Sequence, residues 1–515
     1  MTVPLLSGFP EIGTVASMKI RHLLLALSSI AFLNSCVTAP PPAGPLGAID
    51  TIVVIYAENH SFDNMYGLFP KANGIAAAFP NTTRQLDHDG TVLPHLPPVY
   101  TGGKADPRYP QEMRNAPFRI DGPPINARFD QIVPSPIHNY WQNIEQINSG
   151  SNNKFVAMTN VGSWTMGYYD GSSLEMWKWA QRFTLADNFF MGAFGGSFLN
   201  HQWLVCACTP VFKDAPKSMR AELDEGGRLK RRPNSPASVL DGPVQLFDGA
   251  VTPDGYVVNT SQPPYQPSGV PPAAGGNMDL ADAQPQKSAP PVPPQTAKTI
   301  GDTLTAAGIS WAWYAGGWNE ALADGRRPPE AKRAVIYTRE GGSPNFQPHH
   351  QPFNYYARFA PGTDDRAKYL KDGSEFVQAI QKGTLPQVSF YKPAGRLTQH
   401  PSYTDIQSGD LHISELLGKL EKSPQWPKML VIVTYDENGG YWDHVAPPRG
   451  EGWGDRWGPA TRVPTIIVGP TVKRGFIDRT SYDTTSILKL ITKRFGLEPL
   501  AGVRERTGDL TNSLQ

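Results

Sequence analysis

The run Thr51-Ile52-Val53-Val54-Ile55 is β-branched at every position. A strand with one wet face would alternate apolar and polar residues. This one does not, so it reads as a strand buried on both faces, as in parallel sheets. A second run, Met429-Leu430-Val431-Ile432-Val433-Thr434-Tyr435, has the same character, and a third at 463–468 ends in Gly469-Pro470. Amphipathic stretches at 174–182, 297–307, 373–382 and 411–421 read as helices between them. Buried strands alternating with helices predict an α/β sandwich around a mainly parallel sheet.

A chain of 515 residues has room for two or three domains or one long α/β unit. Lys and Arg exceed Asp and Glu by one, so no basic field points to nucleic acid and no acidic tail to disorder. Proline and glycine number 51 and 49, which implies long ordered loops over a scaffold. They are dense at about 212–296, which reads as an irregular insertion, a lid or a surface excursion. The expected organisation is one catalytic domain over 48–515, interrupted by such insertions.

From Met18 the chain reads Lys19, Arg21, His22, an apolar run at 23–33, then Leu33-Asn34-Ser35-Cys36. That is the pattern of an export signal, too short to span a bilayer. Its end resembles a bacterial lipobox, which would make Cys36 the lipidated first residue; a plain signal peptide is the alternative. Residues 1–36 are therefore read as an extension and signal, and the Ala/Pro-rich 37–47 as a tether. The expected location is outside the cytoplasm: periplasmic, anchored to the outer membrane through a lipid on Cys36, or secreted. Cys206 and Cys208 are two apart, an awkward spacing for a disulfide, and two thiols without a second pair make no zinc site. The expectation is a protein that relies on its core rather than on bridges.

Ligands of open α/β sheets bind beyond the carboxyl ends of strands. The first strand ends in Glu58-Asn59-His60-Ser61-Phe62-Asp63, the second in Asp436-Glu437-Asn438-Gly439-Gly440-Tyr441-Trp442-Asp443-His444. Three carboxylates and an amide on one edge repel unless a cation sits between them, and oxygen ligands of this kind suit a divalent metal. Taken singly, Glu58-Asn59 could cap a helix starting near Ser61, and 436–440 could be a turn. Gly195-Gly196-Ser197 precedes a predicted helix through Cys206. Ser197 there is equally an N-cap or a nucleophile beside a helix N-terminus that favours a phosphate. No G-x-S-x-G elbow is present, which argues against acyl transfer. His138, the pair His349-His350 and His400 sit beside prolines in loops, where imidazoles bind phosphoryl oxygens or move protons. Each alone could equally be a packing histidine. His22, His88 and His95 are assigned no role.

Glu58-Asn59-His60-Ser61-Phe62-Asp63-Asn64 resembles the opening motif of the bacterial phosphoesterase family of phospholipases C and acid phosphatases. Tyr435-Asp436-Glu437-Asn438-Gly439-Gly440 with Asp443-His444-Val445, and Gly458-Pro459 with Arg462-Val463-Pro464, resemble its later signatures. Gly162-Ser163-Trp164-Thr165-Met166-Gly167-Tyr168-Tyr169-Asp170, leading to Gly196-Ser197-Phe198-Leu199-Asn200-His201, and His349-His350-Gln351-Pro352-Phe353 look like the Francisella-type acid phosphatase branch. His60 departs from the wider motif, where Arg is common, and Ser197 from the Thr usual among the phospholipases C. The resemblance implies an alkaline-phosphatase-like three-layer α/β/α sandwich. It implies one divalent metal held by Glu58, Asn59, Ser197, Asp436 and Glu437. His138, His349, His350 and His400 would surround the phosphate, with His350 the favoured proton donor. Asp443 and His444 would play a supporting part. The activity implied is acid phosphatase on a small phosphoester through a phosphoserine, with phospholipase C as the alternative.

Overall fold

The computed structural model describes residues 43–339 and 342–515; the export signal, Cys36 and the first part of the tether lie outside them. An eight-stranded sheet crosses the domain. Along the chain its strands are β1 Thr51–Ala57, β2 Thr184–Ala186, β3 Trp311–Ala315, β4 Leu370–Asp372, β5 Val388–Lys392, β6 Met429–Tyr435, β7 Thr465–Val468 and β8 Phe476–Asp478. Their spatial order is β8-β2-β7-β6-β1-β5-β3-β4, and every pairing is parallel except the two that β7 makes. All residues of β1, β5 and β6 are buried, so both sheet faces are covered. The architecture is an α/β sandwich on a mainly parallel sheet.

Two of the central strands carry no β-branched run. β3 reads Trp-Ala-Trp-Tyr-Ala and β5 Val-Ser-Phe-Tyr-Lys. Aromatic stacking replaces aliphatic interlock there: Trp313 lies on Phe390 with ring centroids 5.5 Å apart, and Tyr391 on Phe376 at 4.5 Å. β7 is antiparallel because no helix intervenes between Tyr435 and Thr465. The chain leaves β6 at its carboxyl end and re-enters from that same end, whereas a parallel neighbour needs a crossover.

The predicted helices form as Glu175–Arg182, Ile300–Ala306, Gly373–Lys382 and Ile406–Glu421. The last starts earlier than its apolar periodicity indicates because Asp405 caps it, accepting from Ser408 N. Asp410 on that helix accepts from Glu175 N at 2.8 Å and Met176 N at 2.9 Å, so one helix caps the start of its neighbour. Residues 212–296 contain one short 3-10 helix, Lys217–Met219, among turns and loops, and are pinned by buried valines such as Val251, Val257 and Val292. Leu46, at the described end of the tether, is buried in the core.

The two late cysteines do form a disulfide, against expectation. The helix Ser197–Cys206 ends with Ala207 in the left-handed region (φ 48°, ψ 41°), which folds the chain back and brings the two Cα atoms to 5.1 Å. A residue spacing that is awkward in extended chain becomes bridgeable at a left-handed helix end. Among the described residues no helix is long and apolar enough to cross a membrane.

Candidate active site

Ala57 pairs with Tyr435 at the ends of β1 and β6, so Glu58 and Asp436 leave the sheet side by side. Side chains alternate along a strand, and the registers of β1 with β5 and β6 put Tyr56, Glu58, Asp436 and Lys392 on one face. The helix Ser197–Cys206 covers this face: Tyr56 donates its hydroxyl to Asn200 O at 3.2 Å and meets His201 edge-on. Glu58, Asn59, Asp436 and Glu437 are all fully buried. Asn59 is left-handed (φ 69°), a conformation Asn tolerates. Gly439 packs on it so closely that a Cβ would lie 2.2 Å from Asn59 O, which makes glycine obligatory there.

Ser197 is the first residue of its helix, the N-cap is Gly196, and no side chain caps the turn. The hydroxyl is therefore not spent on capping. It points to Asn59 Oδ1 at 3.3 Å and Glu437 Oε1 at 3.4 Å. Gly195, at φ 94°, permits the close turn: a Cβ there would sit 2.6 Å from Tyr140 N.

All four singled-out histidines converge on this cluster. His138 Nδ1 lies 2.7 Å from Pro136 O, and its Nε2 faces Asn59 Nδ2 at 3.4 Å and Glu437 Oε1 at 3.7 Å. The His400 ring is 5.7 Å from that of His138, with its own Nδ1 on Pro401 O. His349 and His350 occupy the turn Pro348–His350 with their rings perpendicular at 4.9 Å, and His350 Nε2 abuts Glu58 Oε1. Burial depresses all four imidazoles, His400 to about 3. Burial pushes Asp436 up to about 7 and Glu437 well above the carboxylate range, each with help from neighbouring carboxylates. Burial also raises Glu58, but the charges of His350 and Lys392 outweigh it and hold that carboxyl well below its usual range.

Three residues of the site were not singled out from the sequence. Lys392, the last residue of β5, is fully buried with Nζ 2.9 Å from Glu58 Oε1 and 3.7 Å from Asp436 Oδ2. Tyr403 donates its hydroxyl to Glu58 Oε2 at 2.7 Å. His201, one turn after Ser197, holds Ser197 O with Nδ1 at 2.7 Å and stacks on His350. A lysine closing a short strand rich in apolar and aromatic residues was the one available signal.

Behind the site, Asp443 and His444 join a second buried cluster. Arg462 Nε donates to Asp443 Oδ1 at 2.9 Å and its Nη2 to Asp63 Oδ1 at 3.2 Å, while His444 Nδ1 lies 2.6 Å from Asp63 Oδ2. His60 is buried with its ring nitrogens 2.6 Å from Asn64 Oδ1 and 3.0 Å from Gln399 O, so it ties the first motif to the loop that carries His400.

The donor set Glu58, Asn59, Asp436 and Glu437 fits a divalent cation: Glu58 Oε1 and Asp436 Oδ2 are buried without a well-aligned hydrogen bond. A buried oxygen-rich site at the carboxyl edge of a parallel sheet, with a serine hydroxyl directed into it from a helix start, is suited to binding an anionic ester. The chain belongs to the Phosphoesterase family, whose model matches residues 49–498. It is a phosphoric ester hydrolase.

Among characterised relatives, Phospholipase C A of Mycobacterium tuberculosis is 24% identical over 89% of this chain and 75% of its own length. Phospholipase C B of that organism is 25% identical over 92% and 79%. The non-hemolytic phospholipase C of Burkholderia pseudomallei is 24% identical over 88% and 56%. Among solved structures, a protein in the alkaline phosphatase superfamily from Vibrio parahaemolyticus aligns over 77% of this chain and 76% of its own, with 10% identity and a TM-score of 0.32.

Proposed function

We propose that the chain hydrolyses phosphoesters in two displacements, with Ser197 as nucleophile. The observation that carries this is the uncommitted Ser197 hydroxyl, held between Asn59 Oδ1 and Glu437 Oε1 at the start of a helix. Glu58, Asn59, Ser197, Asp436 and Glu437 would hold a divalent cation, which would supply Lewis acidity to lower the pKa of that hydroxyl. Ser197 Oγ attacks phosphorus and forms a phosphoserine, which water then cleaves. The helix N-terminus favours the phosphoryl anion, and His349, with His350 beside it, lies on the side where its oxygens would sit.

We assign the proton donor for the departing oxygen to His138 rather than His350. His350 Nε2 is turned to Glu58, and its side chain is 2% exposed against 21% for His138. His138 donates Nδ1–H to Pro136 O, which leaves Nε2 to take the proton that the Ser197 hydroxyl gives up on attack and to pass it to the departing oxygen.

For the substrate we favour small phosphomonoesters, the Francisella-type acid phosphatase reading. A polar opening of about 240 Å³ beside His400, lined by Asn345, Gln347 and Tyr403, supports it. A phospholipase C reading has its own support: the names of the relatives and a cavity of about 760 Å³ beyond Ile137 and Ser402, lined in part by Ile132, Val133 and Leu246. Rates on p-nitrophenyl phosphate and on phosphatidylcholine vesicles separate the two. The first reading predicts a preference of at least tenfold for the monoester, and a preference for the vesicle overturns it. Export through residues 18–36, with a lipid on Cys36 as the sole membrane attachment, belongs to the same proposal; the mass of the mature N-terminal peptide tests it.

A further inference from the structure

Glu58, His349 and His350 form a second group of metal-ligand type, two imidazoles and a carboxylate, all buried, with ligand atoms within 4.8 Å of one another. Such a set suits zinc. His349 Nδ1 is buried without a well-aligned hydrogen-bond partner, while His350 Nε2 is in contact with Glu58 Oε1. Yet the shared oxygen, Glu58 Oε1, lies 2.9 Å from Lys392 Nζ. Lys392 is fully buried, its ammonium makes no well-aligned hydrogen bond, and it lies 5.4 Å from the Tyr56 ring centroid in the middle of the sheet. Its place is set by the β5 register and by charge.

We infer that Lys392 is a built-in second cation, which keeps the Glu58–His349–His350 group free of metal and limits the site to one divalent ion. The inference rests on the metal-dependent reading above. Three carboxylates, Glu58, Asp436 and Glu437, are balanced by one divalent ion and one ammonium. A second divalent ion would leave an uncompensated excess of positive charge in a fully buried cluster. The other candidate group among the described residues, Asp63, Asp443 and His444, is closed in the same way by the buried guanidinium of Arg462. Keeping ions off His349 and His350 leaves both imidazoles available to phosphoryl oxygens.

The test is metal content per chain after dialysis of the full-length protein against Zn²⁺, read by mass spectrometry for wild type, Lys392→Met and the double variant Lys392→Met/His349→Ala. One ion is expected in wild type, two in Lys392→Met, and one again in the double variant. Two ions in wild type, or one in a cooperatively folded Lys392→Met, overturns the inference. A wild type that binds none defeats the metal-dependent reading itself, a separate result. Should Lys392→Met not fold, His349→Ala in the wild-type background decides. Its zinc affinity is expected within about twofold of wild type, because His349 is not a ligand, and loss of the ion contradicts that.

Discussion

The hydroxyl of Tyr403 donates to Glu58 Oε2 at 2.7 Å, on the oxygen opposite the one that Lys392 and His350 approach. Glu58 is thus oriented from both sides before any ion arrives. Groups that orient metal ligands are worth roughly 10–100-fold in affinity. Tyr403→Phe is expected to weaken metal binding by about tenfold while the unfolding midpoint shifts little. Isothermal titration of the apo-protein beside thermal unfolding checks it; unchanged affinity would remove Tyr403 from the site.

Arg462 is fully buried between Asp443 and Asp63 and also donates Nη1 to Asp187 O at 2.6 Å. Removing one partner of a buried ion cluster leaves uncompensated charge and costs about 3–5 kcal/mol. Arg462→Met is therefore predicted to lose about that much stability in urea unfolding. A loss under about 1 kcal/mol would show that Asp443 and Asp63 are satisfied without it.

His412 sits apart from the site, with Nε2 2.8 Å from the Tyr391 hydroxyl, and burial lowers its pKa to about 4. The folded state takes up this proton only near pH 4, whereas the unfolded chain takes it up near 6.5. Between those values the unfolded state binds more protons, so stability falls as pH drops from about 6.5 towards 4 and is unaffected above. The histidine accounts for up to about 3 kcal/mol of that loss. Unfolding free energies at pH 7.5 and pH 4.5 should differ less in His412→Gln than in wild type; an equal or larger difference contradicts the assignment.

If His138 protonates the leaving oxygen, its loss should matter in proportion to how poor the leaving group is. His138→Asn is expected to lower kcat on an alkyl phosphate by 10²–10³-fold and on p-nitrophenyl phosphate far less. Equal losses on both would reduce His138 to a binding residue.

The framework was legible in the sequence where burial is written in side-chain type. The β-branched stretches of β1 and β6 announce strands covered on both faces, and their ends deliver Glu58 and Asp436 to one place. β3 and β5 were not legible, because Trp, Tyr and Phe serve helix and strand cores alike and only cross-strand stacking decides between them. Losing β5 meant losing Lys392, whose meaning comes from pairing register rather than from neighbours in sequence. Ser197 stayed ambiguous for a similar reason. Whether a serine after two glycines is N-cap or first helical residue turns on one backbone dihedral, and here Gly196 takes the cap. The disulfide depended on Ala207 adopting a left-handed conformation, which nothing in Cys-Ala-Cys foretells.

The central claim is that Ser197 Oγ becomes covalently bonded to phosphorus during turnover. Acid quenching of the metal-loaded enzyme during steady-state hydrolysis, followed by peptide mass spectrometry, reads this directly. The account predicts one phosphoryl group on the peptide containing Ser197, absent from Ser197→Ala, which should also lose turnover. A phosphoryl group on another residue, no covalent species in a turning-over enzyme, or near-normal activity in Ser197→Ala would contradict it.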